Sequence, residues 1–237
     1  MINSIQKLLQ KFNFQLKRYP DADIRRRLKI IKSQNINCIL DIGANTGQFA
    51  VYMRSYGYQD KIRSFEPLKT AFEKLHALAG KDAKWKAFNF ALGHENQTNT
   101  INVSKNSSSS SILDMLPEHL SSAPHSKYID VEDIEIKTLD SVFDELCDNE
   151  DNIMLKIDTQ GFEKQVIDGA KATLEHIKII QLEMSIIPLY QNELLFRPMI
   201  DYLDSLGFQL FSLENGFANP ETGQLLQVDG IFVRKTP

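Results

Sequence analysis

The chain has 237 residues and a mass of 27.1 kDa, with 42% hydrophobic and 24% charged side chains, which excludes a disordered or fibrous protein and leaves room for one large domain. No apolar run approaches the roughly 18–20 residues of a membrane-spanning helix. Lys7, Gln10 and Lys11 break the first apolar stretch, so it lacks the pattern of a cleaved leader, and Cys38 and Cys147 form neither a disulfide framework nor a metal-ligand spacing. These features predict a cytoplasmic, reduced protein. Residues 1–37 hold nine bases against two acids, so the other 200 residues carry −11 in a chain of net charge −4. A basic N-terminal appendage on an acidic body is the result.

In chain order, Ile2, Ile5, Leu8, Leu9, Phe12 and Leu16 recur at three- and four-residue steps, predicting an amphipathic helix with Lys7, Lys11 and Lys17 off its apolar face. Pro20 interrupts it, and Ile24, Leu28 and Ile31 predict a second short helix. Strands are then predicted over 36–40, 61–65, 85–92, 153–157 and 179–182, alternating with amphipathic helices. Two more strands, 208–213 and 231–234, close the chain around a turn-rich stretch. Strand–helix alternation of this kind predicts a doubly wound α/β sheet with helices on both faces. The exception is 93–133, which contains five consecutive serines, Ser107 to Ser111, and reads as a long functional or disordered loop.

The strongest chemical signal is Asp41-Ile42-Gly43-Ala44-Asn45-Thr46-Gly47, between a buried-type strand and a helix. Its glycines permit a tight turn and close approach of a ligand to free helix-terminal amides. A phosphate-binding loop needs Lys after the last glycine, where Gln48 stands. A dinucleotide fingerprint needs Gly-x-Gly-x-x-Gly, and the spacing here is Gly-x-x-x-Gly. What remains suits a ligand with a cationic aminoacyl part, because Asp41 adds negative charge beside the turn. Glu66, about 20 residues beyond the glycine turn, is spaced to accept two ribose hydroxyls.

Further blocks follow in order: Ser64-Phe65-Glu66-Pro67, Asn89-Phe90-Ala91-Leu92-Gly93, the serine-rich Asn106 to Leu113, Lys137-Thr138-Leu139-Asp140, Leu155-Lys156-Ile157-Asp158-Thr159-Gln160-Gly161-Phe162-Glu163, Glu183-Met184-Ser185 and Asp229-Gly230-Ile231-Phe232-Val233-Arg234. With these blocks the chain resembles the FkbM-type S-adenosylmethionine-dependent methyltransferases from about Asn37 to the C-terminus. The resemblance implies a Rossmann-like, seven-stranded methyltransferase sheet, mostly parallel with an antiparallel last strand. It divides the chain into a helical appendage, 1–36, and a methyltransferase domain, 37–237. It also implies O-methylation of a hydroxyl on a sugar, a glycan or a related secondary alcohol. Asp41, Gly43, Asn45, Thr46 and Gly47 would wrap the methionine part of the cofactor and Glu66 its ribose. Ala91 and Leu92 would border the adenine, an assignment that comes from the resemblance alone.

A second constellation is Lys156, Asp158 and Glu163, with Glu183 on the next strand. Ligands of open α/β sheets bind at the carboxyl ends of strands, so Asp158 and Glu183 are both expected to face the crevice, with Lys156 paired to one of them. Either carboxylate is a candidate base. The alternative is a divalent cation, Mg²⁺ or Mn²⁺, held by the two acids, which Lys156 disfavours. Asp158 is also a candidate helix N-cap and Glu163 a first-turn dipole partner. His119 and His125 are the next candidates for a base, although solvated loop histidines are commoner. Two other functions were weighed, a nucleic-acid-associated methyltransferase and a non-catalytic cofactor-binding module. The basic segment carries few aromatics for base stacking, which counts against nucleic acid. It fits an amphipathic helix docked on the acidic body, on a second copy in a homodimer, or peripherally on an anionic membrane.

Overall fold

The computed structural model describes residues 2–14, 19–148 and 150–235; Leu16, Lys17 and Arg18 of the N-terminal pattern lie outside them, as does the side chain of Ile2. The first helix, α1 (Ile2–Gln10), is shorter than its periodicity predicts, because Asn13 takes a left-handed φ of 60° in the turn that follows. Helix α2 (Ala22–Ser33) starts where Asp21 accepts a hydrogen bond from the Ile24 amide at 2.9 Å. Ile30 and Ile31 of α2 are buried in one cluster with Ile39, Ile62, Met154 and Ile231. The predicted appendage 1–36 therefore includes a helix that belongs to the packed body.

The remaining elements are β1 (Cys38–Ile42), α3 (Gln48–Ser55), β2 (Lys61–Phe65), α4 (Lys69–Ala79), β3 (Trp85–Phe88), β4 (Ala91–Leu92), β5 (Gln97–Ser104), α5 (Pro117–Ser122), β6 (Tyr128–Lys137), α6 (Leu139–Leu146), β7 (Ile153–Ile157), α7 (Glu163–Asp168), β8 (Ile177–Ser185), α8 (Phe196–Ser205), β9 (Phe208–Asn215) and β10 (Gln227–Arg234). Strands β1 and β7 are buried along their whole length, as expected of central parallel strands covered on both faces. The main sheet has seven strands in the order β3-β2-β1-β7-β8-β10-β9. Neighbours from β3 to β8 are parallel, and β10 runs antiparallel between β8 and β9. This is the Rossmann-like methyltransferase sheet, mostly parallel, with the last strand reversed. The register aligns Ile42 with both Phe65 and Ile157, and Ile157 with Leu182, so the turns after four strands open at one edge.

Two expectations are corrected. The single strand predicted over 85–92 breaks at Asn89, whose Nδ2 donates to the carbonyls of Glu66 and Pro67, each at 2.9 Å. That bend sends β4 out of the main sheet. The stretch 93–133 is not one long loop, because it holds β5 and the start of β6, which with β4 form a second sheet of order β4-β6-β5. Only Ile101, Ile134 and Ile136 of these strands' apolar positions are buried beside Leu68, Ala71 and Ala91. Ile129 and Val131 stand exposed on the open face among acids, so the apolar residues of β6 do not sort onto one side and no clean strand alternation can be read. Cys38 and Cys147 meet in the core with their sulfurs 3.7 Å apart and unbonded.

Helix α2 and helix α1 should respond differently to truncation of a side chain. Ile31→Ala should cost about 2–5 kcal/mol in urea unfolding, as core cavities do, whereas Leu8→Ala on the open face of α1 should stay within about 0.5 kcal/mol.

Candidate active site

The aligned strand ends enclose a cavity of about 330 Å³, within the roughly 300–1,000 Å³ of small-molecule sites. Its first wall is the turn after β1. Gly43 has φ 72°, and a Cβ there would lie 1.9 Å from the Asp158 carbonyl oxygen, so only glycine fits. The Asn45 amide donates to Glu66 Oε2 at 2.8 Å, and the Leu68 amide to Glu66 Oε1 at 2.9 Å. Glu66 thus splints two backbone segments while keeping about two of its four lone-pair sites free. Burial pushes its pKa up to about 7 against the pull of those amides and of Lys156. The Asn45 side-chain nitrogen lies 3.2 Å from Ser107 Oγ, tying the serine block to this turn.

Ala91, Leu92, Ser108 and Ser110 continue the wall, with Phe49 and Tyr52 of α3 opposite. Ser109 and Ser111 serve the loop itself. Ser109 is buried against Ser126, and Ser111 donates to the Gln160 carbonyl at 2.7 Å. Thr46 and Gly47 do not line the cavity. Gly47, at φ 91°, starts α3 against the Trp85 ring.

Asp41 also stands behind the wall, fully buried. Trp85 Nε1 donates to Ser64 Oγ and Ser64 to Asp41 Oδ2, both at 3.0 Å. Lys156 Nζ lies 3.1 Å from Asp41 Oδ1 and 3.5 Å from Asp158 Oδ2, over the Phe49 ring at 5.4 Å. Burial alone would lower the lysine's pKa, but the Asp41 and Asp158 carboxylates outweigh it and hold it above the ordinary value. The expected partner Asp158 is therefore present, and Asp41 takes the place expected of Glu183. The reason is register: Asp41 pairs with Lys156 across β1 and β7, so their side chains share a face.

The turn after β7 carries the second cluster. Gln160 and Gly161 both have positive φ, 57° and 97°. Glu163 Oε1 accepts from the amides of Thr159 at 2.9 Å and Gly161 at 3.2 Å, which closes the turn. Burial brings its pKa up to about 7. Asp158 is not a helix cap, since Phe162 is the residue that caps α7, with no side-chain bond. Gln160 Nε2 instead donates to Asp158 Oδ1 and to Glu183 Oε2, each at 2.9 Å. Tyr190 donates its hydroxyl to Gln160 Oε1 at 2.6 Å, which fixes which end of the amide faces the acids.

Asp158 lines the cavity with 43% of its side chain open. Glu183 does not reach the wall as expected. It lies behind Gln160 and accepts a second bond from Gln227 at 2.8 Å. Burial, then the charges of Asp158 and Asp229, push its pKa well above the usual carboxylate range. Asp229, opposite Glu183 in the β8–β10 register, does line the cavity, and burial raises its pKa to about 6. Sequence reasoning passed over Asp229 and Gln160 although both stand in quoted blocks. It had no signal for Arg27, which reaches the cavity from α2 and pairs with Glu214. The histidines are corrected. His119 is buried between Tyr190 and Phe217, with ring centroids 5.2 and 5.6 Å away, and burial lowers its pKa to about 4. It is neither solvated nor on the wall, and exposed His125 is not on the wall either.

A mostly parallel sheet ending on this glycine turn, with a ribose-spaced acid one strand over, defines a methyltransferase that uses S-adenosylmethionine. A family model described as the methyltransferase FkbM domain matches residues 41–210, and the chain belongs to that family. Among solved structures, it is similar to the precorrin-6y C5,15-methyltransferase of Geobacter metallireducens at 12% identity, with 93% of this chain and 94% of that one covered and a TM-score of 0.46. It is also similar to the magnesium protoporphyrin IX methyltransferase of Synechocystis, at 8% identity, 88% and 76% coverage and a TM-score of 0.48. The 1,6-didemethyltoxoflavin-N1-methyltransferase of Burkholderia thailandensis matches at 8% identity, with the same coverages and a TM-score of 0.49. No curated protein matches the chain. The residues present fit the cofactor. Gly43 leaves the backbone open beside the cavity, and Glu66 retains acceptor capacity for hydroxyls.

Two measurements test this electrostatic frame. Lys156→Met strands Asp41 without its ion pair and should cost about 3–5 kcal/mol in urea unfolding, partly recovered by adding Asp41→Asn. Glu66 and Glu163 bind their protons more tightly folded than unfolded. Their contribution is complete below the unfolded value of 4.5 and is lost as pH rises through about 7. His119 acts in the opposite sense, but only from its ordinary 6.5 down to about 4. The melting temperature should therefore fall between pH 6.5 and about 8, and Glu163→Gln should flatten that slope.

Proposed function

We propose that the chain transfers the methyl group of S-adenosylmethionine to a hydroxyl oxygen of a sugar, glycan or related secondary alcohol, with Asp158 as the base. The observation that carries this reading is the clamping of Asp158. One oxygen is held by Gln160 at 2.9 Å and the other lies 3.5 Å from Lys156, while the side chain stays open to the cavity. When bound, the cofactor supplies an electrophilic methyl on a sulfonium. A neutral alcohol is a poor nucleophile, and a positioned base contributes roughly 10²- to 10⁴-fold. Asp158 accepts the hydroxyl proton and, being open to solvent, passes it out. Lys156 stands beside one Asp158 oxygen, and Glu183, enclosed behind the wall, acts through Gln160 as a positioning residue. The neutral polar groups of Asn45, Ser108 and Gln160 on the wall, with the Phe49 and Tyr52 rings, suit an acceptor that is both hydroxylated and ring-shaped.

The donors around the acids support the metal-free version, because the Gln160 amide takes up oxygens of both Asp158 and Glu183 and Lys156 repels a cation. Arg26 and Arg27 are engaged by Ser212 and Glu214, which weakens the case for nucleic acid. A cytoplasmic setting belongs to the same proposal, since buried thiols as close as Cys38 and Cys147 are retained in reducing compartments.

The test is a screen of glycans and nucleotide sugars for methyl transfer, read as the mass shift of the product. On the acceptor found, Asp158→Asn should lower turnover by roughly a hundredfold or more while the thermal shift caused by S-adenosylmethionine persists. Glu183→Gln should be far milder. Activity lost to EDTA and restored by Mg²⁺ or Mn²⁺ would reject the metal-free version, and methylation of nitrogen alone would reject the O-methyltransferase.

A further inference from the structure

We propose that the N-terminal segment docks on an anionic lipid surface and holds the cavity mouth against it. On α1 and the turn after it, Ile5, Leu8, Phe12 and Phe14 are 45%, 57%, 66% and 67% exposed. Soluble monomers rarely leave so many large apolar side chains together in water. Lys7 and Lys11 stand exposed among them. An apolar face flanked by lysines is the pattern of a helix lying in a bilayer interface. With nine residues, α1 is too short to cross the hydrocarbon, and no helix among the described residues is long and apolar enough to do so.

A second aromatic row lies beside the cavity mouth. Tyr19 is 76% exposed, with its ring centroid 5.8 Å from that of Tyr56, which lies 6.5 Å from Tyr52. Tyr52 is a wall of the cavity. Tyrosines of this kind settle at the headgroup level of membranes, so on the proposed surface this row would bring the mouth of the site to the lipid. Charge selects an anionic surface. Lys7 and Lys11 are exposed on this segment, whereas the residues after 37 carry −11 and are repelled by such a surface, which orients the protein with its N-terminal face down.

The test is sedimentation of the full chain with vesicles of phosphatidylcholine containing about one third phosphatidylglycerol, against pure phosphatidylcholine. Each base near an anionic surface strengthens binding about fivefold. Binding should therefore be at least about tenfold tighter to the anionic vesicles, and about 0.5 M salt should abolish the difference. Lys7→Glu with Lys11→Glu, and separately Phe12→Ser with Phe14→Ser, should each weaken it about tenfold or more. Their melting temperatures should not change, because these side chains are exposed. Equal binding to both vesicles, no binding, or variants that bind like the wild type would overturn the proposal. So would a dimer in light scattering that Phe12→Ser with Phe14→Ser dissolves, since a second copy would then cover this face.

Discussion

The structure turns on a lysine placed where parallel strands are otherwise apolar. Lys156 stands in the middle of the sheet with its ammonium between Asp41 and Asp158. A charge there is tolerated only if it is paired, and the pairing ties β1 to the end of β7. Through Ser64 and Trp85 the same polar row extends across β2 to the packing of α3. One end of the row is buried structure and the other end is the candidate base, so folding and chemistry share a residue.

Backbone geometry does the rest of the positioning. Gly43 approaches the Asp158 carbonyl so closely that the turns after β1 and β7 form one rigid unit. Glu66 and Glu163 each close a turn by accepting backbone amides, and their raised pKa values record the cost of holding carboxyl groups away from water. Gln160 is the link between the acids, with its orientation set by Tyr190. The three carboxyl groups at this edge thereby differ in setting: Asp158 is open and paired, Asp229 lines the cavity with its pKa raised to about 6, and Glu183 is enclosed behind Gln160. A set of acids separated in this way suits proton transfer better than three equivalent carboxylates would.

The second sheet gives the cavity its roof. β5 and β6 carry the serine block to the glycine turn, where Ser107 meets Asn45, while Ser111 holds the turn after β7 from the other side. Five serines in sequence thus divide into groups that face the cavity and groups that build the loop. The distinction rests on local bonding, which composition does not record.

The sequence by itself determined the parallel core, the glycine turn, the spacing of Glu66 and the presence of Asp158 at a strand end. These depend on local rules, namely apolar runs, left-handed turn positions and the distance along the chain between successive strand ends. The second sheet was hidden because one of its faces is wet and yet carries Ile129 and Val131, which blurs the alternation a strand shows in sequence. Tertiary structure alone decided that Lys156 pairs with Asp41, that Glu183 lies behind Gln160, and that His119 is buried. It also decided that Asp229 and Arg27 reach the cavity. The Lys156–Asp41 pair depends on strand register, which joins residues more than a hundred positions apart. The others depend on neighbours that only the folded chain brings together, and none is encoded within a short window of sequence.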